Sequence, residues 1–117
     1  SPSPETCALL ERTCIPRAAI RRQPVRDVLR IVGEAIHKKI EVSPGVGKET
    51  LEATYGPNFM MLGPMPSAAS ILGSFNPWFL DTQETMTAVM EADRIRLMTR
   101  EEAERFWKDW KASQAAR

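Results

Sequence analysis

Residues that could carry chemistry are few in this chain of 117 residues, and most lie in its first half. The single histidine, His37, follows Glu34 in an E-x-x-H spacing that sets a carboxylate and an imidazole on one helix face, as in di-iron carboxylate bundles. Such a centre needs a second E-x-x-H and two further glutamates, so the pair reads as solvated helix-face residues. The same scarcity weakens a hydrolase triad and a histidine general base. A Cys–His nucleophile would require His37 beside Cys7 or Cys14, and nothing in the sequence brings them together.

Cys7 and Cys14 are two helical turns apart, which on a continuous helix separates their α-carbons by about 10 Å, too far for a disulfide. A bond between them needs a bent segment, zinc needs further ligands, and two ordinary thiols are the simplest reading. The stretch P-G-V-G-K-E-T at Pro44 to Thr50 has the glycine and lysine of a phosphate-binding loop. However, Glu49 stands where Ser or Thr is needed and Val42 where the first glycine belongs, so a turn between helices explains the glycines better. Arg12, Arg17, Arg21, Arg22, Arg26 and Arg30 form a basic cluster with no aromatic side chains interleaved to stack on bases. Arg17, Arg21, Arg22 and Arg26 are expected to pair with carboxylates of a partner, with anionic lipid head groups as a further ligand class. The sequence therefore assigns no catalytic, cofactor-binding or metal-ligating residue.

The elements that must position these groups are those of one small domain. Hydrophobic residues make up 43% and charged residues 26%, with 16 Lys plus Arg against 15 Asp plus Glu. That balance excludes a charged disordered tail and a disulfide-dense scaffold, and net +1 provides too little positive potential to hold a nucleic acid. The distribution is less even than the totals. All eight aromatic residues lie at or beyond Tyr55, and residues 53 to 80 form an uncharged run of 28 with four prolines and five aromatics. The prolines leave no stretch near the roughly 20 apolar residues of a transmembrane helix. The run reads as apolar loops with proline turns, and a charge-free loop rich in Met and aromatic residues calls for something other than water to cover it.

Elsewhere the periodicity is helical. Pro24 opens a helix carrying Val25, Val28, Leu29, Val32, Ile36 and Ile40 on one stripe, expected to run to about Val42 and end at the S-P-G-V-G turn. Short helical turns are predicted at residues 48–54 and 66–75. Asp81 with Glu84 makes a D-x-x-E capping box, predicting a helix toward Arg96, and Thr99 with Glu102 makes a second box before Ala103, Phe106, Trp107 and Trp110. The expected fold is mostly α: a few helices joined by extended Pro/Gly-rich apolar loops, with little or no sheet. Residues 1–23 are expected to form an extended or partly helical basic arm, and residues 24–117 a single helical domain with its apolar loop region at 53–80.

The chain resembles a type rather than a family: small accessory subunits of large organellar assemblies. The expected function is that of a non-catalytic subunit of a mitochondrial membrane complex, of the respiratory chain or ATP synthase, with no cofactor and no transmembrane helix of its own. The start at Ser1, with its arginine-rich and acid-poor beginning, fits a removed presequence. Tyr55, Phe59, Met60, Met61, Phe75, Trp78 and Phe79 are expected to pack against partner chains. The alternatives are a stand-alone helical adaptor or regulator and, further off, a small enzyme or an organellar ribosomal protein.

Overall fold

The computed structural model describes residues 2–56 and 62–116. The chain forms helix α1 (Pro4–Arg12), strand β1 (Gln23–Pro24), α2 (Val25–Ile36), β2 (Ile40–Val42), α3 (Lys48–Glu52), β3 (Thr54–Tyr55) and α4 (Ala68–Leu72). It then forms β4 (Met86–Glu91), β5 (Arg94–Thr99) and α5 (Arg100–Ala115). The expectation of a mostly α fold with little or no sheet is overturned. The described residues are about 46% helical and 22% strand, with one sheet ordered β2-β5-β4 and a two-stranded sheet of β1 and β3.

Two segments account for the three-stranded sheet. The helix opening at Pro24 stops six residues before Val42, because Gly33 lets the chain fold back over it. A Cβ at Gly33 would lie 2.8 Å from the main-chain oxygen of Lys38. His37 makes the reversal in the left-handed region (φ 57°), donating its N–H to the carbonyls at the helix end, and Ile40–Val42 leaves as a strand parallel to β5. The second segment is 81–96, which forms a hairpin rather than a helix. Asp81 does not cap a helix: its carboxylate accepts from the Thr54 N–H at 2.7 Å, and its own N–H donates to the Thr54 carbonyl. Beyond it, Ile95 and Leu97 alternate with Arg94 and Arg96, so a strand puts both apolar side chains on one face. The two-residue turn Ala92–Asp93 closes the hairpin with Ala92 at φ 55°, a conformation usually given to Gly or Asn.

The other helices form where the pattern places them, with α3 and α4 shorter than expected. The Thr99–Glu102 capping box is complete in both directions at the start of α5. The sheet separates two apolar layers. Ala88 and Met90 of β4 with Ile95 and Leu97 of β5 face a core shared with α2, α1 and α4, in which Val25, Val28, Val32 and Ile71 are fully buried. On the opposite face Val89 and Met98 pack under Ala103 and Phe106 of α5.

Residues 2–23 pack against this body. Leu10, Ile15 and Ile20 enter the main core, and α1 packs on α4. Main-chain bonds from Ile15 N–H to the Pro66 carbonyl, Arg17 N–H to the Pro64 carbonyl and Ala68 N–H to the Thr13 carbonyl bind this segment to the charge-free run. Backbone groups in that run find partners in the chain itself, which is why it need not be polar.

Candidate interaction surfaces

The aromatic residues expected at a partner surface divide. Tyr55 and Phe75 are fully buried inside the chain, with ring centroids 5.5 Å apart in an edge-to-face arrangement, and the half-buried Phe79 stacks on Tyr55 at 6.4 Å. Ser74, also buried, gives its one hydroxyl proton to the Ile71 carbonyl, so the Tyr55 hydroxyl is the donor in the 2.5 Å bond between them. Burial pushes the Tyr55 phenol up to about 12, against the opposing effect of that bond, and it stays neutral. Trp78 is exposed. Phe59, Met60 and Met61 lie outside the described residues.

A different set of aromatics lies partly exposed on α5. The first turns of α5 are anchored by Ala103, by Phe106 and by Glu102, whose carboxylate accepts from the Ser43 hydroxyl, the Thr99 N–H (3.0 Å) and the Gly45 N–H (3.1 Å). Ser43 and the Thr99 N–H hold the Glu102 carboxyl below its ordinary range; partial burial opposes them and the Gly45 N–H adds to them. The helix then continues past its support. From Trp107 to Ala116 every residue is exposed. Sixteen residues make α5 about 24 Å long, a large part of the molecule's 46 Å longest extent. Phe106, Trp107 and Trp110 form a run of edge-to-face contacts along it, at 5.2 and 5.9 Å between centroids.

The second surface is an open groove of about 510 Å³ between α2 and β2. Its floor is apolar, built from Leu29, Ile40, Val42 and Leu51 around Gly33. Arg26, Arg30, Lys38 and Lys39 line its walls, with Glu34 and His37. Arg30 pairs with Glu34 at 3.3 Å and Arg26 with Glu52 at 3.4 Å, while Lys38 and Lys39 form no ion pair among the described residues. The groove exists because α2 ends at Gly33–His37 and the chain returns beside it, a reversal that sequence periodicity passed over.

The remaining candidates stay apart. Among the described residues no three His, Cys, Asp or Glu side chains gather as a metal site. Cys7 and Cys14 are free thiols, Cys14 just past the end of α1. The glycine-rich turn gives its Gly45 N–H to Glu102, so a carboxylate of the chain itself occupies an amide that a phosphate loop would present. Arg17, Arg21 and Arg22 make no ion pair among the described residues, whereas Arg26 is held by Glu52. No helix is long and apolar enough to cross a membrane among the described residues. Compared with protein-family models, curated proteins and solved structures, the chain matches none.

Proposed function

We propose that this chain is a non-catalytic interaction protein, an accessory subunit that docks the aromatic face of α5 against a partner protein. The supporting observation is the unsupported half of α5. Two to three helical turns with no packed face are marginal in water, so a helix extended this far, with two tryptophans each more than a third exposed, is best accounted for by a surface that receives it. An amphipathic helix laid in a partner's groove is a common recognition mode, and aromatic anchors in such grooves contribute about 2 kcal/mol or more each.

The test is a native pull-down from cells with the full chain, read by mass spectrometry, beside the Trp107→Ala/Trp110→Ala variant. A set of chains retained by the parent and lost with the variant supports the reading, and respiratory-chain or ATP-synthase subunits in that set would name the assembly. Identical sets from both chains overturn it. Capture of the parent by anionic vesicles, with no protein retained, also overturns it by moving the helix to a lipid surface. A second reading, a stand-alone adaptor, is favoured by the closed core around Tyr55 and Phe75. It predicts a monomer that unfolds in one cooperative step when purified alone.

A further inference from the structure

The strongest unassigned feature is the outer edge of β2. In a strand the N–H and C=O of one residue point to the same side, and successive residues alternate sides. Ser43 donates its N–H to the Leu97 carbonyl of β5 at 2.9 Å, and Glu41 lies opposite Arg96 in the same parallel pairing. The main-chain groups of Glu41 and Ser43 therefore face β5, and those of Ile40 and Val42 face away from it. β2 is the last strand of its sheet, and among the described residues no main-chain partner meets Ile40 or Val42 on that side. The next outward position is Pro44, which has no N–H, and Ile40 is 6% exposed with its nitrogen 3.9 Å from where a Cβ on Gly33 would lie, so the open edge centres on Val42.

We propose that the groove between α2 and β2 receives an extended peptide of alternating apolar and acidic residues, which adds as a strand to the outer edge of β2. Three independent observations converge on this occupant. The edge presents unused main-chain donors and acceptors, the element that strand addition requires. The floor beside it is apolar, with Val42 37% exposed, so side chains on one face of an added strand are removed from water. Among the basic side chains of the walls, Arg26 is paired with Glu52 and Arg30 with Glu34, which leaves Lys38 and Lys39 to select acidic residues on the strand. The volume of about 510 Å³ lies in the range of about 300 to 1,000 Å³ common for binding sites. Lysines beside a strand edge also discourage pairing between like chains. Lys38 and Lys39 thus repel a second copy of this edge and admit an acidic one.

The test uses the full chain and a library of ten-residue peptides that alternate Val, Ile or Leu with Asp or Glu, screened by fluorescence anisotropy. A hit is expected to slow hydrogen exchange of the Val42 amide at least ~10-fold, because that amide gains a partner. The Lys38→Glu/Lys39→Glu variant is expected to weaken the hit ~10-fold or more, and raised salt to weaken it further. N-methylation of the hit at alternate residues is expected to abolish binding in one phase and spare it in the other, since one phase alone pairs with β2. The proposal is overturned by a library without hits while the folded chain is intact. It is also overturned by equal affinity for a lysine-substituted version of the hit, by indifference to N-methylation in both phases, or by a hit that protects α5 rather than Val42. The variants and peptides used here leave Trp107 and Trp110 unchanged, so failure here and failure of the α5 docking reading are separable.

Discussion

Two aromatic-rich regions of this chain meet opposite fates. The charge-free run from Tyr55 to Leu80 buries Tyr55 and Phe75 completely, whereas α5 leaves Trp107 39% and Trp110 36% exposed. Aromatic content is therefore a poor guide to exposure, and the neighbours decide. Around Tyr55 the chain supplies small and apolar residues, Ala68, Ile71, Ser74 and Leu80, and main-chain partners that tie the loops to β3 and to residues 13–17. On α5 the tryptophans alternate with Arg105, Lys108, Asp109 and Lys111, which cannot all be buried together. An uncharged loop folds inward where its backbone is satisfied by the same chain, and a charged helix with an aromatic stripe leaves that stripe partly exposed.

Substitutions test this contrast, beginning with the largest effect. Phe75→Ala removes a fully buried ring from the main core and is expected to cost about 3 to 5 kcal/mol in chemical denaturation. A loss below about 1 kcal/mol would show that the run is loosely packed and that the contrast fails. Glu102→Ala removes the anchor of α5, with its capping-box bond and the bonds from Ser43 and Gly45, for an expected loss of about 1 to 2 kcal/mol.

The Glu102 effect carries a pH signature. The folded carboxyl titrates below its unfolded counterpart, so its contribution is present above the unfolded value, about 4.3, and is lost as pH falls through the lowered folded value. Stability of the parent should drop more steeply than that of the variant as pH falls below about 4.3. Parallel curves would remove Glu102 as the anchor. Glu41, held low by its paired bonds from Arg94 at 2.7 and 2.9 Å, remains in both proteins and contributes the same slope to each.

Tyr55→Phe keeps the ring and deletes the proton given to Ser74, while Ser74 keeps its own bond to Ile71, so the expected loss is about 1 kcal/mol. Trp107→Ala with Trp110→Ala should change stability by no more than about 0.5 kcal/mol, because those rings cover little of the core. A thermal melt shifted as far as that of Phe75→Ala would place both aromatic regions in the same structural role.

Much of the helical skeleton was legible in order. The V-x-x-V-L-x-x-V stripe from Val25, the Thr99–Glu102 box and the short turns near Lys48 and Ala68 are local signals: each depends on residues within a turn or two of one another, and the chain obeys them. The hairpin was not legible. Its turn has Ala92 where a Gly or Asn would have announced it, and Asp81 mimicked a cap while serving Thr54, a residue 27 positions earlier. Gly33 was visible as a letter within a helix, but its purpose, clearance for the Lys38 carbonyl, appears only when the chain has returned.

By itself the sequence determined the charge balance, the supply of a single histidine and the register of the helices, because composition and helical period are properties of the chain taken in order. Only the tertiary structure decided which aromatics are spent inside, where α2 ends and that β2 pairs with β5 and leaves an open edge beside a cationic groove. The pairing of β2 with β5, like the bonds of Glu102 with Ser43 and Arg94 with Glu41, joins residues more than 50 apart, and the buried Tyr55 and Ser74 meet across 19. A strand edge or a buried ring is defined by what lies next to it in space, and linear order does not contain that neighbour.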